Sequence, residues 1–358
     1  MSTESYHRLA EHLNRLPGGF PPSSTGAEIR LLQTLFTPEE ADLATHLTLD
    51  RETAATIADR AGLPLSEAEQ RLNGMVDKGL IFAVQPEDAP SRYQAAPFVI
   101  GIYEFQVNSL SAEFLKAVND YWRTQQQEPR APTIPQMRTI PIHESIELRL
   151  EALPYEHVYE LVKAHDRYAV APCICRKSAK IAGDGCDAPE ETCLMFDEWA
   201  DFYVNGGRGR AIDRTEVMEI LAKADDANLV LQPTNSKDAA AICCCCGCCC
   251  GILGGLKQHP RPSEAVASAF IAQLDANLCL GCWTCLDRCQ MQALAKDDTH
   301  VMLDADRCIG CGLCVSTCPS GALTLTRKPE SDRTLPPDTF TNTWRIIADA
   351  QAGMQGGT

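Results

Sequence analysis

The sequence predicts a chain of the α+β class built from several domains, and three observations carry that expectation. Apolar residues recur at helical spacing through the first quarter and then give way to two short strand-like runs. A cysteine-rich stretch occupies the middle. Nearer the C-terminus, a four-cysteine unit occurs twice in register, which marks a duplicated structural element. At 358 residues, the chain is long enough for two or three cores, and 45% apolar against 22% charged residues reads as globular throughout. The expected divisions are an arm over 1–26, a first domain over 27–105, a middle region over 106–262, a repeat domain over 263–328 and a tail over 329–358.

The arm holds an amphipathic piece, Tyr6 to Leu16, followed by a breaker-rich stretch, Pro17 to Ser24. Helices are expected over Glu28 to Leu35, Pro38 to Thr45, Thr53 to Ala61 and Ser66 to Lys78, the last with a serine N-cap after the turn Gly62-Leu63-Pro64. Strands should follow at Gly79 to Val84 and Tyr93 to Phe105, around the turn Pro86 to Pro90. With Met75-Val76-Asp77-Lys78-Gly79-Leu80-Ile81 running from helix to strand, this stretch resembles a winged helix-turn-helix. The resemblance implies DNA binding, but the charge opposes it. Between Pro38 and Asp88 stand eleven Asp and Glu against four Arg and Lys, and a net charge of −7 cannot release phosphate counterions. A docking or structural role is the expectation.

The middle region opens with connective helices, Leu110 to Arg123 and Tyr155 to His165, around an extended segment, Pro132 to Pro141. His143, His157 and His165 read as ordinary surface or packing residues. Tyr168 to Arg176 reads as a strand ending in Cys173-Ile174-Cys175. Residues two apart on a strand face one side, so both thiols could reach one metal. Cys186 and Cys193 follow, Cys186 in a loop with Gly183 and Gly185. Further on, Cys243, Cys244, Cys245, Cys246, Cys248, Cys249 and Cys250 fill seven of eight positions. Consecutive side chains diverge, so some of these should bind metal and some should pack as small apolar residues. A further cluster is expected from Cys173, Cys175 and Cys193, with other ligands from the 243–250 run, Cys243, Cys245, Cys246, Cys248 and Cys249 among them. Cys186 can either join it or stay out.

In the repeat, Cys279, Cys282, Cys285 and Cys289 recur 29 residues later as Cys308, Cys311, Cys314 and Cys318. Leu274, Asp275, Gly281, Ala293 and Leu294 recur as Leu303, Asp304, Gly310, Ala322 and Leu323. Three thiolates at this spacing wrap one cuboidal iron–sulfur cluster, while the fourth lies too far along to close the same cube. Zinc knuckles, by contrast, use two separated ligand pairs. Residues 274–328 therefore resemble a bacterial-type ferredoxin domain with two [4Fe–4S] clusters. The resemblance implies one cluster on Cys279, Cys282, Cys285 and Cys318, and the other on Cys308, Cys311, Cys314 and Cys289. Pro319 fits the pattern; Gln290 stands where the first unit would usually carry proline.

The full expectation is a winged-helix-like N-terminal domain, an α/β cysteine-rich middle region and a small ferredoxin-like dicluster domain. This arrangement resembles a group of iron–sulfur proteins of anaerobic bacteria. Nineteen cysteines in a chain whose first twenty residues lack an apolar signal core point to reduced, metal-bound thiols and a cytoplasmic protein without a membrane span. A net charge of −16 disfavours nucleic acid and suits a redox partner with a basic docking patch. Single-electron transfer is the leading expectation. An oxidoreductase with its own cluster near 173–250 is the alternative, although no phosphate loop or Ser/His/Asp set is present. A redox-sensing regulator conflicts with the charge, and metal storage or cluster assembly does not suit an intact dicluster unit.

Overall fold

The computed structural model describes residues 2–125, 134–142 and 152–355. The chain divides into two compact units, one comprising residues 1–136, 202–208 and 341–358, the other 137–201 and 209–340.

In the first unit, helices Ala27–Leu35, Pro38–Ala44, Ala54–Ala61 and Leu65–Asp77 bury Leu31, Leu32, Leu43, Ile57 and Leu72. Local chemistry fixes where they start and stop. Thr37 and Glu40 form a reciprocal capping box, Thr53 accepts from Thr56 N, and Gly62 ends its helix at φ 65°. Strands β1 (Glu52–Thr53), β2 (Phe82–Val84) and β3 (Arg92–Gln94) pair antiparallel in the order β1-β3-β2. The strand expected over Tyr93 to Phe105 stops early. Pro97 has no N–H to continue a ladder, Ile100 turns at φ 59°, and residues 103–105 are helical. The buried Arg208 guanidinium donates to the carbonyls of Val76, Asp77 and Phe105, so it satisfies the C-terminal end of the helix Leu65–Asp77.

The second unit is built on a five-stranded antiparallel sheet in the order β6-β4-β5-β8-β7: β4 (Tyr168–Pro172), β5 (Glu191–Phe196), β6 (Arg210–Ile212), β7 (Val230–Pro233) and β8 (Ala241–Cys245). Side chains alternate between its faces. Tyr168, Val170, Leu194, Phe196, Ile242 and Cys244 share a core with the helices Val158–Lys163 and Arg214–Asp226. The segment 137–142 lies along β7, donating from Arg138 N to Pro233 O and from Ile140 N to Leu231 O. His143 falls outside the described residues.

The cysteine repeat forms two small two-stranded sheets. β9 (Phe270–Leu274) pairs with β12 (Leu323–Arg327), and β10 (Leu294–Lys296) pairs with β11 (Val301–Leu303). Each sheet joins one strand from each repeat. The recurring framing residues now have a cause: Asp275 N donates to Ala322 O and Asp304 N to Ala293 O, both at 2.8 Å. The Asp275 and Asp304 carboxylates each accept from the N–H two residues on, capping the equivalent turns.

Candidate metal centres

The eight repeat cysteines separate into two pockets. Cys279, Cys282, Cys285 and Cys318 line one, with Trp283, Val301 and Leu323 among its walls; Cys289, Cys308, Cys311 and Cys314 line the other, with Met291 and Ile309. Counted out to their mouths, they hold about 320 and 390 Å³ of empty space. The donor set, four thiols and no imidazole or carboxylate, fits an iron–sulfur cluster. The loops approach their neighbours closely through Gly281 and Gly310, at φ 63° and 72°. Trp283 adopts φ 65° at the position where the second repeat has Gly312 at φ 77°, so the backbone of the repeat is kept even where its residue is not. Burial opposes ionisation of Cys285 and Cys311, pushing their thiols up to about 11 and about 12. Residues 272–325 match the family model described as a 4Fe-4S dicluster domain. No curated protein and no solved structure matches the chain.

The domain is anchored within its unit by Arg288, the residue before Cys289. Its guanidinium donates to Leu313 O, to Asp225 O at 2.7 Å and to the Asp225 carboxylate. Gln290 has a second anchoring role. Its side-chain oxygen accepts from Gly247 N at 2.6 Å, which ties the chain beside Cys289 to the cysteine-rich run.

In the middle region the Cys-x-Cys pair is not on a strand. β4 ends at Pro172, Cys173 is the N-cap of the helix Ile174–Ala182, and Cys175 lies in its first turn. The proline and the strand register shift after Ala171 end the ladder there. The two thiols still interact, through the turn rather than through period two.

The register of β5 with β8 divides Cys243, Cys244 and Cys245 between the two sheet faces. Cys193 pairs directly with Cys243, their sulfurs 4.0 Å apart. Cys245 lies two residues on, on the same face. Cys244 points the other way into the helix-covered core, where desolvation pushes its thiol up to about 12. Cys245 interacts with Cys243 and Cys250, and Cys250 with Cys175. Cys173, Cys175, Cys193, Cys243, Cys245 and Cys250 are thus linked in one group. Cys186, Cys246, Cys248 and Cys249 form another, with all four sulfurs within 4.8 Å of one another.

No helix among the described residues is long and apolar enough to cross a membrane. His165 is buried, hydrogen-bonded to Asp197 at 2.8 Å and stacked on Phe196, so it serves packing in this fold.

Proposed function

We propose that this chain is an iron–sulfur electron-transfer protein, with one [4Fe–4S] cluster held by Cys279, Cys282, Cys285 and Cys318 and another by Cys308, Cys311, Cys314 and Cys289. The observation that carries the reading is the sorting of eight thiols into two pockets, each lined by three thiols of one repeat and the last thiol of the other. When bound, each cluster supplies one-electron chemistry with little rearrangement. The chain's own groups set the terms. Ala272 N and Ala293 N donate to the sulfurs of Cys308 and Cys289, both at 3.3 Å, and ease added charge there. The net charge of −16 opposes it and argues for a low potential. Cys282 is exposed beside exposed Leu278 and Leu280, so the first pocket is the open end for a partner, one with a basic docking patch.

A third cluster would draw on Cys173, Cys175 and Cys193, with Cys243, Cys245 and Cys250 as the thiols in reach. The helix order and the strand order β1-β3-β2 support a winged-helix-like reading of the first unit. Its acidic charge supports protein docking over DNA binding. Nineteen thiols suit a reducing, cytoplasmic compartment.

Reductive titration of the anaerobic full-length protein tests the proposal. About two electrons per chain should enter the dicluster domain, one for each cluster, with bleaching of visible absorbance and new paramagnetic signals. A chain that takes up no electrons at any accessible potential is not an electron carrier.

A further inference from the structure

We infer that Cys186, Cys246, Cys248 and Cys249 form a mononuclear site, a closed tetrahedron of four thiolates around one zinc or iron ion, separate from every cluster assigned above. Spacing decides between an ion and a cube. A metal–sulfur bond of about 2.3 Å places the corners of a tetrahedron ~3.8 Å apart. Three of the edges here are 3.7 Å (Cys248–Cys249), 3.8 Å (Cys186–Cys249) and 3.9 Å (Cys186–Cys246), and none of the six exceeds 4.8 Å. A cube sets its ligands wider, because each thiolate sits on a different iron. Among the described residues no other group of three or more metal-binding side chains closes to this distance, and the two dicluster sets do not.

The surroundings are built for an anionic centre. A divalent ion with four thiolates carries a net charge of about −2. Arg176 is fully buried beside it, donating to Cys244 O at 3.1 Å and to the Thr192 hydroxyl and interacting with the Cys246 thiol; its Nε has no hydrogen-bond partner. A buried guanidinium needs such a counter-charge. The ligand loop is held independently of any ion. Gly247 donates to Gln290 and accepts from Lys257 Nζ at 2.6 Å, and a Cβ at Gly247 would lie 2.5 Å from Gln290 O. The fourth thiol comes from the loop after the helix Ile174–Ala182, which turns out of helical geometry at Gly183, φ 89°. With all four positions filled by protein, the site has no open coordination place. Its role is to pin the 186 loop and the 246–249 loop together beside Gln290 and the neighbouring Cys289.

The inference takes no thiol from the third cluster proposed above, and its test separates the two. Cubes contribute iron and acid-labile sulfide equally, however many are present. In anaerobically purified full-length protein, iron plus zinc should therefore exceed sulfide by about one atom per chain. Loss of the third cluster would lower both counts and leave the excess. Replacing Cys248→Ser together with Cys249→Ser should abolish the excess, with sulfide and the paramagnetic signals of the reduced protein retained. Should that pair disturb folding, Cys248→Ser alone, at an exposed position, should release the ion to a chelator at least about tenfold faster than wild type. Equal metal and sulfide in the wild type would overturn the inference, as would loss of iron and sulfide in equal amounts from the double variant.

Discussion

Replacing Gly310→Ala should abolish occupancy of the Cys289, Cys308, Cys311 and Cys314 pocket while leaving the other pocket loaded. Gly310 sits at φ 72°, where an L side chain costs about 1–2 kcal/mol before any contact is counted. The contact is worse than the torsion. A Cβ there would stand 2.2 Å from Phe270 O and 2.7 Å from Phe270 C, and both are backbone atoms of β9, which cannot rotate away. Relief requires the 308–311 loop to leave the strand. That movement breaks the hydrogen bond from Ala272 N to the Cys308 sulfur and shifts two of the four ligands, Cys308 and Cys311, at once. A total cost on the order of 4 kcal/mol is expected, in the range reserved for steric failure in a core. Iron and sulfide should each fall by about four per chain, one cube's content. The matching change Gly281→Ala should be milder: its nearest contact is 2.9 Å, to Thr299 O in the β10–β11 turn. Equal losses from the two variants would contradict this account of the loops.

Cys318→Ser should act on the first pocket, not the second. Along the chain, Cys318 is four residues from Cys314 and more than thirty from Cys285, yet it lines the pocket with Cys279, Cys282 and Cys285. The pairing of β9 with β12 brings the end of the second repeat back against the start of the first. Replacement of Cys318 should therefore change the same paramagnetic signal as Cys285→Ser and leave the signal that Cys314→Ser removes. Substitutions at Cys318 and Cys314 that perturb one common signal would mean the thiols do not cross.

The dicluster segment was legible because a register-preserving repeat states its ligands and its packing residues together. Asp275 with Asp304 and Ala293 with Ala322 recur because they close equivalent hydrogen bonds, so the pattern carries structure as well as ligation. The middle region was less legible for a physical reason. Cys173 and Cys175 satisfy period two on paper, but Pro172 ends the strand and a helical turn brings the pair together instead. The facing of Cys243, Cys244 and Cys245 depends on which residue of β8 opposes Cys193, and a run of identical residues does not encode that register. Once the register is fixed, Cys243 and Cys245 fall on one face and Cys244 on the other, and the chain leaves the strand after Cys245. Gln290 was visible only as a departure from a pattern, because its partner, Gly247, lies forty-three residues away.

Acid-labile sulfide in anaerobically prepared full-length protein tests the central claim most directly, because sulfide is present in clusters and in no single-ion site. Two four-iron clusters predict at least about eight sulfides per chain, matched by iron. Stoichiometric zinc with no sulfide would contradict the account and turn both thiol-lined pockets into sites for something other than electrons.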